Sequence, residues 1–278
     1  PGMPEGLHEK FTKTPLPMVF ERAGLHSRFL VNFFKPITSF LIILGGMTCG
    51  AILQRILRGK GSNWYVFVKI ILRRFEFFFK WNLVMLLVVC NIDEVILFGV
   101  IEWRMMSTES AWDVISLIIS LGVSLVSLCA LLAPFYLLHK IYKTRFKVLS
   151  NQTNEPYFNL LKKIEGFQLL WKDFKDSSWA QKAFLPLYDL RVALIYLIIA
   201  LLYQSPMLQM ILILSISLGM LTFITIVKPF LKRLDFIQSI MYEVCMAISL
   251  GSFLILSIFV AVHVSAEQVW LFLGDCFQ

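Results

Sequence analysis

The chain has 278 residues, of which 58% are hydrophobic and only 16% are charged, against roughly 25% charged residues in ordinary soluble domains. With a mean hydropathy of +0.74, this composition excludes an ordinary water-soluble domain and is typical of a membrane protein. The formal net charge of +8 is best explained by cations at a membrane surface, so lipids and not nucleic acid are the expected partner.

The chain starts at Pro1, and its opening residues lack the basic stretch and short apolar core of a signal peptide. We therefore expect a fragment, with residues 1–35 forming an extracellular juncture to a missing N-terminal region. The five cysteines are scattered without a CxxC spacing, which favours neither a zinc site nor a disulfide framework. Because the sequence also lacks HExxH and any other catalytic pattern, we expect neither an enzyme nor a cofactor or metal site.

Beyond residue 35, six apolar runs are long enough to cross a hydrocarbon core of ~30 Å, which takes about 20 helical residues. Backbone polar groups in lipid must be paired, and the runs do not alternate as barrel strands would. The predicted fold is therefore an all-α polytopic membrane protein with six transmembrane helices within residues 36–262. The predicted spans are residues 36–57, 75–100, 113–138, 184–203, 206–227 and 236–262.

Three segments outside these spans have their own predicted structure. Residues 63–80 mix aromatic and cationic side chains at helical spacing, which predicts an amphipathic helix in the membrane interface before the second span. Residues 143–183 form a polar loop for which we expect one or two short amphipathic helices, and residues 263–278 are predicted to be a tail.

The distribution of lysine and arginine predicts the orientation of the chain. Of the 26 such residues, 19 lie in the loops after the first, third and fifth spans, and only six lie on the opposite side. Since positive charge near span ends marks the cytosolic side, both termini are predicted to be extracellular. The glycosylation sequon at Asn151 then lies in the cytosol and stays unmodified.

A short cationic turn follows the fifth span. Pro229 lacks an N–H and disfavours helical backbone at the residue before it, so it should end the fifth helix. Asp235 is placed to act as the N-cap of the sixth helix. We interpret this turn as a cytosolic elbow whose residues are Lys228, Pro229, Phe230, Lys232 and Arg233.

Ionisable residues inside predicted spans are costly in lipid and mark candidate ion or proton paths. If the second helix starts near Trp81, Asp93 lies past mid-depth; if it starts near Arg73, Asp93 lies at the outer surface. A structural polar link between helices is the alternative to a transport site. The candidate path comprises Asp93, Glu94, Asp189, Arg191 and Glu243.

Small residues on one face of a membrane helix allow a neighbouring helix to approach closely. Gly46 and Gly50 have this spacing in the first span, and Ser116, Ser120 and Ser124 have it in the third. These residues indicate which faces pack and give no indication of function.

The segment from Gly166 to Leu250 resembles the membrane core of the TRP-like proteins of fungi and ciliates. The matching features are Arg191 at the start of the fourth span, Pro206 and Gln209 opening the fifth, the Lys-Pro-Phe elbow, and Glu243 early in the sixth. "GLHEKF" and "FLVNF", within residues 6–33, look like the juncture that joins cysteine-rich ectodomains to this core in large ciliate surface proteins. The resemblance implies a multi-pass protein of the cell surface or ciliary membrane.

Three functions remain open at this point. The first is the membrane domain of a larger TRP-like cell-surface protein with cation conduction or mechanical sensing. The second is a non-conducting anchor or assembly module that holds an extracellular structure or other protein subunits. The third is a membrane enzyme or lipid transfer protein, for which the sequence offers the weakest support.

Overall fold

The structure is a computed structural model that describes residues 6, 11, 15–56, 90–151 and 173–276. In these ranges the chain is mostly helical, and no residue of them lies in a β-strand. The chain divides into two compact units, Pro1–Tyr196 and Leu197–Gln278. The helices in chain order are α1 (Met18–Arg22), α2 (Phe29–Asn32), α3 (Phe34–Ile56), α4 (Ile92–Arg104), α5 (Ala111–Asn151), α6 (Trp179–Lys182), α7 (Phe184–Leu201), α8 (Pro206–Val227) and α9 (Arg233–Cys276).

Four helices are long and apolar enough to cross a membrane: α5 over Ala111–Thr144, α7, α8, and α9 over Arg233–Phe259. They coincide with the third to sixth predicted spans. Where the first span was predicted, α3 contains a shorter apolar helix, Phe34–Gly50. Of the second predicted span only the C-terminal part is described, as α4, and the predicted interfacial helix at 63–80 lies outside the described residues.

Two helices are longer than the apolar runs that predicted them. α5 continues past residue 138 to Asn151, because lysine, arginine and leucine are good helix formers and a helix does not need an apolar surface to continue. α9 likewise runs to Cys276, through the segment predicted as a tail. It begins at Arg233, so the prediction that Asp235 is the N-cap is wrong. Asp235 lies in the first turn, where its charge still complements the helix dipole.

An apolar core in the first unit joins the start of the chain to α4 and α5. Phe29 and Phe33 stack with ring centroids 4.8 Å apart and pack with Val95 and Phe98 of α4. A Cβ atom on Gly99 would lie 3.1 Å from Ser124 Oγ, so α4 and α5 approach closely at this level. Partly buried side chains around this core are Leu25, Ile37, Leu97, Ile119 and Val123.

In the second unit, α8 and α9 pack against each other on either side of the elbow. α8 ends at Val227, and Lys228 adopts left-handed backbone angles, with φ 49° and ψ 61°, while its N–H donates to Ile224 O at 3.0 Å. Among the described residues it is the only non-glycine residue with positive φ. Pro229 is buried, and the elbow cations Lys228, Lys232 and Arg233 are exposed.

The left-handed backbone at Lys228 predicts a ranking of substitutions. Left-handed angles cost an L-residue roughly 1–2 kcal/mol, and glycine escapes that cost at the expense of a more flexible unfolded chain. Lys228→Gly should therefore be neutral or stabilising by up to about 1 kcal/mol, whereas the β-branched Lys228→Val should destabilise by about 1–2 kcal/mol. Both variants lose the same charge, so thermal unfolding in detergent compares them directly. Equal stability would contradict the left-handed turn.

Candidate functional site

The helix α2 has only four residues and is held by side chains from α4 and α5. The first N–H groups of a helix have no partner within it, and in α2 two of them find acceptors far along the chain. Phe29 N donates to Glu102 Oε2 at 2.7 Å, and Leu30 N donates to Ser116 Oγ at 3.2 Å. Ser116 Oγ in turn donates to Glu102 Oε2 at 2.9 Å. One carboxylate and one hydroxyl thus bind α2 to both neighbouring helices.

A buried ion pair lies immediately before α2. Arg28 Nε is 3.1 Å from Asp113 Oδ1, and the two side chains are at most 1% exposed. A terminal guanidinium nitrogen of Arg28 donates to Met105 O at 3.3 Å, at the C-terminal cap of α4, where the helix dipole favours a positive charge. Asp113 Oδ2 accepts from Ser110 N at 3.3 Å. Arg28 therefore joins the end of α4 to the start of α5. We call Arg28, Glu102, Asp113 and Ser116 the Arg28 cluster.

The chain around Arg28 is prearranged by local hydrogen bonds. Asn32 Oδ1 accepts from His26 N at 2.8 Å, and Asn32 Nδ2 donates to His26 O at 2.6 Å. His26 Nδ1 accepts from Arg28 N at 3.1 Å, which requires that ring nitrogen to be unprotonated. Residues 26–32 form a closed loop that presents Arg28 and the start of α2 to α4 and α5.

The Arg28 cluster contains two carboxyl groups and one guanidinium. Burial raises the pKa of Glu102 above its ordinary value of 4.5, and the charge of Asp113 adds to this effect. Hydrogen bonds from Phe29 and Ser116 and the charge of Arg28 act in the opposite direction. Glu102 is fully buried, and its Oε1 atom has no hydrogen-bond partner among the described residues. Arg28 balances the charge of one carboxylate, that of Asp113. Burial favours the protonated form of the other, Glu102.

The residues predicted to line an ion path lie in less uniform surroundings. Asp93 and Glu94 are in the first turn of α4, and both are partly exposed. Asp189 is also partly exposed. Arg191 is buried, with its guanidinium carbon 5.8 Å from the centre of the Tyr188 ring, a distance that suits a cation–π contact. All four belong to the first unit.

Glu243, in the second unit, is the most deeply buried residue of the predicted path, at 1% exposure. Ser217 of α8 is also fully buried. Both residues lie ten positions from the elbow ends of their helices, about 15 Å along each helix, so they are at the same height in the α8–α9 hairpin. Glu243 is thus a buried carboxylate within the second unit, and its place in an ion path stays a prediction.

Sequence reasoning missed the three charged residues of the Arg28 cluster. Arg28 was treated as one of several surface cations, and Glu102 and Asp113 flank a short polar turn where exposure is the usual expectation. The serine spacing that includes Ser116 indicated close packing of α5, which the approach of Gly99 to Ser124 confirms. The sequence did contain a signal for the cluster. Glu102 and Asp113 lie at the two ends of the same turn, and Arg28 lies just before the first apolar helix, so one cation and two carboxylates are close to the same ends of three helices.

No family model, curated protein or solved structure matches the chain. In the part of the chain that the structure describes, no group of three or more His, Cys, Asp or Glu side chains could hold a metal ion. The chemistry of the Arg28 cluster, which is ion pairing and hydrogen bonding between distant parts of the chain, is therefore the basis for assigning a role.

The buried ion pair predicts strong coupling between Arg28 and Asp113. Removing one partner of a buried pair strands the other charge and costs roughly 3–5 kcal/mol, whereas removing both costs less than the sum. We expect this pattern for Arg28→Met, Asp113→Asn and the double variant in denaturant unfolding in detergent. The control pair is Lys182 with Asp176, at 2.7 Å but 16% and 51% exposed, where coupling should not exceed about 1 kcal/mol. Additive effects at Arg28 and Asp113 would contradict the buried pair.

Glu102 predicts a particular pH dependence. Because its pKa is raised in the folded state, its contribution to stability is greatest below the ordinary value of 4.5 and is lost as pH rises through the raised value. Glu102→Gln keeps a carbonyl acceptor for Phe29 N but cannot ionise. Relative to the native chain, this variant should gain thermal stability as the pH rises above the ordinary carboxyl value of 4.5.

The difference between the two pH profiles cancels every contribution that both proteins share and leaves the effect of Glu102, which faces Arg28 and Asp113. Parallel profiles as the pH rises would show that Glu102 is not held in a proton-favouring site.

Proposed function

We propose that this chain is the membrane domain of a larger TRP-like cell-surface protein and that it acts as a mechanical anchor for the region preceding residue 28. The observation that carries this proposal is the buried attachment of residues 28–30 to α4 and α5. This attachment lies just before α3, which starts at Phe34. The second hypothesis from the sequence, an anchor, is thus the one that the geometry supports best.

The position of the Arg28 cluster determines how a pulling force would travel. A force on the residues before Arg28 meets the ion pair to Asp113 and the hydrogen bonds to Glu102 and Ser116 before it reaches α3. It is therefore passed to α4 and α5, which are themselves in close contact at Gly99. A single helix pulled from its end would unravel turn by turn, whereas this attachment distributes the force over two packed helices.

The chemistry of the attachment suits a permanent link. Exposed ion pairs contribute about 0–1 kcal/mol, but separating a buried pair exposes the cost of each unpaired charge, about 3–5 kcal/mol. The Arg28–Asp113 pair is almost fully buried, and the backbone amides beside it are bonded to Glu102 and Ser116. A reversible docking surface would be expected to have exposed charges instead.

The wider setting follows from the sequence pattern and completes the proposal. Six spans, with most cations at the cytosolic face, put the Arg28 cluster on the extracellular side of a plasma or ciliary membrane. If the chain resembles TRP-like surface proteins in this respect, an ectodomain precedes the Arg28 cluster, and a force on that ectodomain would pull on the cluster. Other membrane or extracellular subunits are the partners that such an anchor would hold.

Cation conduction or mechanical sensing is the second candidate function, and one observation favours it. Glu243 is a buried carboxylate at the same height as the buried Ser217 in the α8–α9 hairpin. Ionisable groups at membrane depth mark transport paths often enough to justify a direct test. Cation flux into proteoliposomes that is lost in Glu243→Gln, but kept in Glu109→Gln at an exposed turn residue, would favour this function.

Pulling the whole chain by its two termini in lipid bicelles, in magnetic tweezers, tests the anchor directly. Release of residues 26–32 should appear as a discrete step, because it requires the buried pair to separate. Arg28→Gln should remove this step or lower its force, since the stranded Asp113 already weakens the attachment by about 3–5 kcal/mol. The control is Arg22→Gln, which changes an exposed arginine in α1. Equal forces for Arg28→Gln and the native chain would overturn the proposal.

A further inference from the structure

A cavity of about 250 Å³ lies in the first unit between α3, α4 and α5. It is separate from the Arg28 cluster and contains none of the residues predicted to form an ion path. Its surface is almost entirely carbon. The residues that line it include Ile37, Phe40, Val95, Gly122, Val123 and Val126.

The walls of the cavity determine what can occupy it. A buried water needs two to four polar partners, and apolar cavities of this kind stay dry and accept apolar molecules. An empty cavity also deprives its lining atoms of dispersion contacts. The cavity therefore fits an apolar occupant.

The cavity opens at the surface of α5. At its rim, Phe40 is 41% exposed and Val126 is 59% exposed, and Gly122 is exposed as well. The rim is continuous with exposed apolar side chains of α5, among them Ile118, Leu121 and Leu125. α5 is one of the helices apolar enough to cross a membrane, so this face is the one a bilayer would cover with hydrocarbon.

The position of the cavity along α5 is also consistent with contact with the hydrocarbon of a bilayer. Its lining residues on α5 run from Ile119 to Ser127, three to eleven residues beyond Ser116 of the Arg28 cluster. At a rise of ~1.5 Å per residue, the cavity lies about 5–16 Å further along the helix. That distance corresponds to the acyl region below the headgroups if the Arg28 cluster lies near one membrane surface.

We infer that the cavity is a lipid site that takes up one acyl chain of a membrane phospholipid. The acyl chain enters from the side past Gly122, where the absence of a side chain leaves open space on α5. It then packs against α3 and α4. This site does not depend on whether the protein bears load or conducts ions.

The dimensions and charges at the cavity favour an acyl chain over other lipid groups. With about 30 Å³ for each water-sized group, the cavity holds about eight such groups. A run of methylene groups fits this volume, and the four fused rings of a sterol do not. Lys35 is an exposed cation directly before the lining residue Pro36. It lies within electrostatic range of Glu94, so its charge is partly balanced. The site should therefore select for the chain and show little preference between headgroups.

Photolabelling in nanodiscs tests this site. The probe is phosphatidylcholine with a diazirine near the end of one acyl chain, and mass spectrometry locates the labelled residues. The cavity-lining residues Ile37, Phe40, Ile119, Val123 and Ser127 should be labelled above Ile118 and Leu125, which are exposed and do not line the cavity. Excess unlabelled phosphatidylcholine or phosphatidylglycerol should compete equally. Gly122→Leu should reduce this labelling roughly tenfold, because the leucine side chain would occupy the entrance.

The matched control is Gly219→Leu, since Gly219 is also an exposed glycine on an apolar helix with open space around a Cβ position. It should leave the labelling unchanged. If Gly122→Leu does not fold, Val126→Phe at the rim replaces it with the same expected loss. Labelling no stronger than at Ile118 and Leu125, labelling insensitive to both rim variants, or preferential labelling by a sterol diazirine would overturn the proposal. A cross-link showing that residues 57–89 of the chain fill the cavity would also overturn it.

Discussion

The ion pair between Arg28 and Asp113 is the interaction on which the described first unit depends. A buried guanidinium is costly unless its charge is paired, and here it is paired with a carboxylate and donates to the carbonyl at the end of α4. Because both acceptors lie beside the 105–110 turn, the pair fixes that turn and the segment before α3 at the same time. The hydrogen bonds of Glu102 and Ser116 to α2 follow from this placement.

Several other features follow from the position of Arg28. Phe29 and Phe33 are directed into the core beside Val95 and Phe98 because the preceding residue is fixed. The start of α3 is then set against α4 and α5, and the apolar cavity lies between these three helices, further along α5 than the charged cluster. A change at Arg28 should therefore affect both the attachment of the chain start and the shape of the cavity, although each of the two has its own test.

Much of the helical architecture could be predicted from the sequence, and the reasons are physical. The predicted bounds of α8 agree with the structure, because Pro206 and Pro229 stand at the two ends of its apolar run and a proline limits the helix locally. The start of α7 was also predicted, but α7 ends at Leu201 and not at the predicted residue 203. The ends of α5 and α9 were predicted too early. The length of an apolar run indicates how much of a helix can lie in the membrane, but a helix can continue beyond that run into polar surroundings. The buried state of Glu243 was predicted from its distance along α9, since a helix has a fixed rise.

The Arg28 cluster could not be predicted in the same way. Its hydrogen bonds join residues 73 and 86 positions apart, and neither hydropathy nor local spacing encodes such a pairing. Arg28, Glu102 and Asp113 each look like ordinary residues at the end of an apolar run. Only their coming together in the fold distinguishes them from Arg104 or Glu109, which lie in the same part of the sequence and remain exposed.

Hydrogen exchange at the amides of Phe29 and Leu30 tests the central claim most directly. A four-residue helix has no stability of its own, so protection there reports the attachment to Glu102 and Ser116. We predict that both amides exchange as slowly as amides in the middle of α5 in the native chain and rapidly in Arg28→Met. Rapid exchange in the native chain, at the rate of the exposed α1 segment, would contradict the account.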